Sequence, residues 1–347
     1  MNSKAFLLPA ALMIAGNSVA NSKGKKTDKR PNILVILADD LGYSDLGCYG
    51  SEIHTPNLDK LAQQGVRFNH FYNASRSCPT RASLLTGLYQ HQAGIGRMTF
   101  DDNLPGYRGT LSRNAVTIAE VLKESGYTTS MIGKWHVAET PLRKDQREWL
   151  AHHVYHDTYS DLCHYPVNRG FDSHYGTIYG VVDYFDPFSL VEGEVPVKEV
   201  PEGYYITQAL SDRAAEEVTE YAKDDKPFFM YLAYTAPHWP LHALPEDIEK
   251  YKDTYKVGWE AIRNARYERQ KQLGIFPGMD DFLSERQFKD RWEDNAHAEW
   301  DARAMAVHAA MIDRMDQGIG QVIDALEKTG QLDNTCLLYT SPSPRDR

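Results

Sequence analysis

Two adjacent carboxylates, Asp39 and Asp40, follow an unbroken apolar run at 32–38. Like charges side by side at the end of a buried strand repel, and desolvation adds to the cost, so a neutralising partner is expected. A hard divalent cation would serve, and calcium takes oxygen ligands at ~2.3 to 2.6 Å. Asp is also an ordinary turn former, and on this pair alone that reading stays open. The second cluster is Ser75-Arg76-Ser77-Cys78-Pro79-Thr80-Arg81-Ala82-Ser83-Leu84-Leu85-Thr86-Gly87. Its hydroxyls stand where a helix begins, an end whose dipole favours anions, and Pro79 suits a place just inside it. A serine N-cap explains Ser77 by itself, but not Ser77 together with the forked, permanently charged Arg81. Gly133-Lys134-Trp135-His136 puts a lysine and a histidine two apart, on one face if the segment is a strand. The fourth cluster, Ala236-Pro237-His238-Trp239-Pro240, carries an imidazole suited to proton transfer near neutral pH.

The elements that must position these groups alternate in type. The run at 32–38 has the Ile, Leu and Val content of a strand buried on both faces. The pattern predicts helices at 56–64, 80–88, 116–124, 206–222 and 299–329, and strands at 66–72, 128–135 and 227–234. In the last helix Ile312, Met315, Ile319, Val322 and Leu326 recur at three and four, and Gly330 can close it. Such alternation implies βαβ crossovers and a largely parallel sheet. All four polar clusters then fall at strand ends or in the loops after them, where ligands bind in open parallel sheets, so they are expected to converge. The polar stretches 139–172 and 242–295 read as active-site loops and surface helices.

The 347 residues are enough for a sizeable core, and 42% hydrophobic with 25% charged residues excludes a disordered chain. With 38 basic against 48 acidic residues the net charge is -10, which disfavours nucleic acid as a partner. Four scattered cysteines, Cys48, Cys78, Cys163 and Cys336, make neither a disulfide framework nor a C-x-x-C zinc pair. Residues 1–20 read as a secretory signal peptide, with Lys4, a short apolar core broken by Pro9, and a small-residue exit at Ala20. That core is well short of the ~20 residues of a membrane span. A basic linker at 21–30 follows, and the expected location is periplasmic or secreted.

The second cluster resembles the sulfatase signature, in which Cys or Ser, one residue, Pro, a hydroxyl residue and Arg precede a Leu-Leu-Thr-Gly helix. Aligning Pro79, Arg81 and 84–87 places Ser77 in the modified position and leaves Cys78 free. Together with the other three clusters, the chain from Arg30 to Thr335 resembles a bacterial arylsulfatase of the alkaline-phosphatase-like fold: a mixed, largely parallel α/β sheet flanked by helices. The resemblance implies oxidation of Ser77 to formylglycine by a serine-type maturation enzyme. It also implies calcium held by Asp39, Asp40 and the modified Ser77, with Arg81 holding both the nucleophile and the metal carboxylates. Lys134 would bind a sulfate oxygen, His136 would contact the formylglycine diol, and His238 would bind sulfate and protonate the leaving alcohol. The implied substrate is an aryl or, more in keeping with export, a glycan sulfate ester. A phosphate mono- or diesterase of the same superfamily and a non-catalytic glycan-binding relative are the rival readings.

The resemblance further implies a later Asp-Asn pair, a second sulfate-binding lysine and a small C-terminal subdomain. All three are expected to be missing here, Asp333-Asn334 preceding the expected strand rather than following it. The resulting expectation is an incomplete catalytic domain at 31–335, a foreign tail at 336–347 and an inactive chain. His152, His153 and His156 with Asp157 suggest zinc, but a polar loop without cysteine favours solvated or substrate-rim residues. His308 is expected to be structural. Some Tyr and Trp residues are candidates to stack on a sugar ring, packing being the plainer reading.

Overall fold

The computed structural model describes residues 30–139, 157–276, 283 and 291–342. Strand β1 (Asn32–Leu37) is buried along almost its whole length. It lies between β6 (Phe228–Ala233) and β7 (Thr335–Thr340), parallel to both. On the far side of β6 come β2 (Thr128–Gly133) and β3 (Ser173–Thr177), also parallel. A short antiparallel hairpin, β4 (Leu190–Glu192) with β5 (Val195–Pro196), closes that edge. The order is β5-β4-β3-β2-β6-β1-β7, a mixed but mainly parallel sheet as expected.

Helices flank the sheet. The helix expected at 56–64 is α1 (Pro56–Gln64), and α2 (Ser77–Thr86) starts three residues earlier than the pattern suggests. Helix α3 (Ile118–Glu124) begins at Thr117, whose side chain accepts from Glu120 N while the Glu120 carboxylate accepts from Thr117 N, a reciprocal cap. Helix α4 (Ile206–Tyr221) packs on β2, β3 and β6. The stretch 242–295 contains α5 (Pro245–Glu249) and α6 (Trp259–Gln272). The long α7 (Ala298–Lys328) buries Ile312, Met315, Ile319, Val322 and Leu326 and packs against α4, α1 and α5. Those five side chains contribute roughly 10 kcal/mol of gross burial free energy. Asp316 on α7 is fully buried and caps α1 from outside, accepting from Asn57 N at 3.1 Å and Leu58 N at 2.9 Å.

Three expectations need correction. Residues 66–72 form no strand: Val66, Phe68, Phe71 and Tyr72 are exposed. A strand exists only as part of a ladder, and among the described residues nothing pairs with this segment. Strand β2 ends at Gly133, so Lys134 and His136 lie beyond it and do not share a strand face. Gly133 has φ +110°, and a Cβ there would stand 1.9 Å from the Ala233 oxygen, so the chain turns out of the sheet at this point. Finally, the pattern does not predict β3, β4 and β5, because Ser-His-Tyr-Gly-Thr and the two short hairpin strands lack a long apolar run.

Residues 336–340, expected as the start of a foreign tail, form with Thr335 the strand β7 on the edge of the sheet beside β1. No described helix is long and apolar enough to cross a membrane.

Candidate active site

The apolar pairing of β1 with β6 and β7 carries the chain straight to Asp39, whose amide donates to the Ala236 carbonyl at 2.9 Å. This places the acidic pair beside the loop that holds Pro237 and His238. From β2, Lys134 N donates to the Ala233 carbonyl at 2.8 Å, and Trp135 N to the Thr177 carbonyl at 2.8 Å. Thus the ends of β1, β2, β3 and β6 are tied into one rim. Helix α2 points its first turn at that rim. Ser77 is its first helical residue, after an extended Arg76, and Pro79 sits where no intrahelical amide is required.

Ser77 Oγ donates to Asp39 Oδ1 at 2.9 Å. Arg81, four residues on and therefore on the same helix face, donates through Nε to Ser77 Oγ at 3.0 Å and through Nη2 to Asp39 Oδ1 at 3.1 Å. Its Nη1 donates to the Lys134 carbonyl at 2.7 Å. Lys134 Nζ bonds the other oxygen of Asp39. Asp39, Arg81 and Lys134 are all fully buried. Burial alone would push the Asp39 carboxyl up, but the charges of Lys134 and then Arg81 outweigh it and hold it far below the carboxylate range. Burial draws the Lys134 ammonium down, with Asp39 opposing. The trio carries one surplus positive charge, the condition an anion would neutralise.

His238 Nε2 lies 3.4 Å from Asp40 Oδ2, and Nδ1 is 2.6 Å from the Trp239 carbonyl. A carbonyl only accepts, so Nδ1 carries a proton and Nε2 is where a second one is taken up, beside Asp40. Burial, then the charge of Lys134, lowers this imidazole's pKa. The Trp239 ring stacks beside His238 with centroids 5.6 Å apart, and half of Trp239 is exposed. His136 adopts φ +53° and meets Cys78, its Nε2 3.3 Å from Sγ. Burial holds His136 neutral and pushes the Cys78 thiol up to about 12.

The structure therefore brings together Asp39, Ser77, Arg81 and Lys134 directly, Asp40 with His238, and His136 through Cys78. His152, His153 and His156 lie outside the described residues, while Asp157 is exposed and His308 is buried in α7. Two residues whose place the sequence pattern does not mark also belong to the site: Cys78, against His136, and Tyr184, whose OH lies 2.7 Å from the Thr235 carbonyl and 2.8 Å from that of His238 and pins the His238 loop. Nothing marks Tyr184 among 21 tyrosines. Its partners become visible only once β6 is folded.

Calcium fits these residues in donor type but not in number. Asp39, Asp40 and Ser77 are oxygen donors, yet such an ion takes six to eight. Both oxygens of Asp39 are already bonded to buried cations. The β1/β7 register pairs Leu37 with Thr340, so Ser341 and Pro342, not a carboxylate, follow on the neighbouring strand. Among the described residues no group of three or more His, Cys, Asp or Glu could hold a metal ion.

A sulfatase family model matches residues 31–341. The chain is 34% identical over 346 residues to an arylsulfatase of Klebsiella aerogenes, covering 98% of this chain and 70% of that protein. It is 34% identical over 339 residues to an uncharacterized sulfatase of Schizosaccharomyces pombe, covering 90% of this chain and 57% of the relative. An N-acetylglucosamine-6-O-sulfatase of Bacteroides thetaiotaomicron is 30% identical over 398 residues, covering 98% and 62% respectively. Among solved structures, Ps i-CgsB in complex with k-i-k-neocarrahexaose is similar with a TM-score of 0.61 and 31% identity, over 90% of this chain and 58% of that one. The structure described as the putative sulfatase yidJ of Bacteroides fragilis shares the fold, with a TM-score of 0.68 at 24% identity, over 92% of this chain and 63% of that one. The chain thus spans between about half and seven tenths of these relatives. By its match over nearly the whole folded region, the chain belongs to the sulfatase family.

Proposed function

We propose that this chain carries the nucleophile and anion-binding half of a sulfuric ester hydrolase acting on sulfated glycans. The observation that carries the reading is the position of Ser77 Oγ, held between the Asp39 carboxylate and the Arg81 guanidinium at a helix N-terminus. The glycan preference draws on the two relatives whose printed names refer to a sulfated sugar and a bound oligosaccharide.

In this reading Ser77 is the residue oxidised to formylglycine by a serine-type, radical maturation enzyme, with loss of two hydrogens. The resulting aldehyde hydrate supplies the nucleophile and, on collapse, expels sulfate. The chain's own residues do the rest. Arg81 fixes the side chain of Ser77 and adds fixed charge. Lys134 offers its ammonium to a sulfate oxygen in exchange for Asp39, a trade between two oxyanions. His238 gives a proton to the departing alcohol, replenished beside Asp40. His136 serves the modified Ser77 as a neutral imidazole. No step here is routed through calcium, because the oxygen donors among the described residues are too few to hold it. Export by way of residues 1–20, to the periplasm or outside the cell, belongs to the same reading.

The test is co-expression of the chain with a serine-type maturation enzyme, followed by mass spectrometry of the peptide spanning Ser77 and calorimetric titration with a sulfated oligosaccharide. Conversion of Ser77 with binding supports the reading. An unconverted serine that still binds the sugar favours a glycan-binding protein instead. Preference for the phosphorylated over the sulfated sugar favours the phosphoesterase alternative.

A further inference from the structure

His136 is clamped on several sides. A Cβ on Gly180 would stand 2.1 to 2.4 Å from three atoms of its ring, so the glycine backbone lies flat against the imidazole. Its own backbone is in the left-handed region, at φ +53°, a conformation kept only where surroundings enforce it. Cys78 Sγ lies 3.3 Å from Nε2 and 4.0 Å from Met98 Sδ, a second and weaker acceptor for the thiol. The remaining ring nitrogen, Nδ1, is buried and has no hydrogen-bond partner among the described residues. A buried polar atom left unpaired in this way is costly, which leaves Nδ1 available to a bound group.

The protonation pattern follows from hydrogen-bond chemistry. A neutral imidazole has one N–H and one lone pair, while a thiol is a weak donor and a poorer acceptor than an sp2 nitrogen. The favourable arrangement is S–H pointing at the Nε2 lone pair, which leaves the ring proton on Nδ1. We propose that Cys78 is a positioning residue, whose thiol holds His136 as the Nδ1–H tautomer and so reserves that N–H as a donor for an oxygen of the modified Ser77 or of a bound sulfate. The role of the donor rests on the function proposed above. The tautomer does not.

The experiment uses the full chain labelled with 15N-histidine and long-range proton–nitrogen correlation spectra, with His136 assigned by its loss in His136→Gln. The expected result is a protonated Nδ1 and an unprotonated Nε2 in the parent chain. Cys78→Ser, which keeps a donor, retains this pattern, whereas Cys78→Ala loses it in favour of a mixture containing Nε2–H. An Nε2–H tautomer in the parent chain, or an unchanged pattern in Cys78→Ala, overturns the proposal. Should Cys78→Ala fail to fold, Cys78→Ser decides: a hydroxyl donates more strongly than a thiol and must shift the Nε2 resonance without changing the tautomer, and an unshifted Nε2 overturns the proposal. Because these spectra depend on neither maturation nor turnover, an unconverted Ser77 or a chain that binds no sulfated oligosaccharide, with the expected tautomer, counts against the proposed function and leaves Cys78 its place.

Discussion

Ser77 and Asp39, 38 residues apart in the chain, meet hydroxyl to carboxylate at 2.9 Å, and Arg81 bridges both. The contact joins the end of β1 to the first turn of α2. It makes the candidate nucleophile part of a buried charge cluster rather than a free helix cap.

The cluster's balance rests on one anion. Asp39→Asn leaves the Arg81 and Lys134 cations facing each other without their carboxylate, in a site closed to water. A loss of about 3 to 5 kcal/mol in folding stability is expected. Denaturant unfolding of the two chains measures it, and a loss below ~1 kcal/mol would show that the ions are solvated after all.

Register decides which residue is oxidised. With a serine-type maturation enzyme, the mass change should fall on Ser77 and never on Cys78, whose sulfur is turned away toward His136. Ser77→Ala should abolish the change entirely, and fragment-ion mapping locates it to one residue.

His174 gives the fold a pH dependence of its own. Buried on β3, with Nδ1 3.1 Å from the Met131 carbonyl, it takes a proton only near pH 4 when folded, against 6.5 when unfolded, because burial penalises the charged ring. Above pH 6.5 both states are neutral and the group contributes nothing. As pH falls through this window the unfolded state binds the extra proton, so stability declines, by roughly 3 kcal/mol at pH 4. His174→Leu should flatten the stability profile between pH 6.5 and 4 by up to about 1.4 kcal/mol per unit. Parallel melts across that range are the check.

Calcium should leave this chain's stability unchanged. A site with a dissociation constant of about 10 μM would raise stability by about 2.7 kcal/mol at about 1 mM ion. Since Lys134 already neutralises Asp39 and Ser341 and Pro342 follow on the neighbouring strand, no such rise is expected. Thermal melts with calcium and with chelator would contradict this if they differ.

Gly133 is where β2 releases the chain toward Lys134. Gly133→Ala places a methyl 1.9 Å from the Ala233 oxygen and forces φ +110° on a residue with a side chain. The expected cost is about 3 kcal/mol or more, with a loss of soluble protein on expression.

Much of the frame was legible in residue order. The apolar run of β1, the Pro56 to Gly65 punctuation of α1 and the three-and-four spacing of α7 each record a local rule, so each could be read without a neighbour. The identity of the site residues was legible for the same reason: Ser77, Pro79 and Arg81 stand in a fixed register. Residues 66–72 mark the limit, since their alternation promises a strand but a strand needs a partner chain to bond. The hairpin of β4 and β5 marks it from the other side, too short to announce itself.

Sequence alone determined the family, the order of the crossover units and the chemical types gathered at the strand ends. Tertiary structure decided what those types do to one another. Lys134 and Arg81 are fully buried and bound to Asp39, His238 faces Asp40, and Cys78 occupies one nitrogen of His136. These pairings join residues 42 to 198 positions apart, and no local pattern encodes a distance that only the sheet order β2-β6-β1 creates.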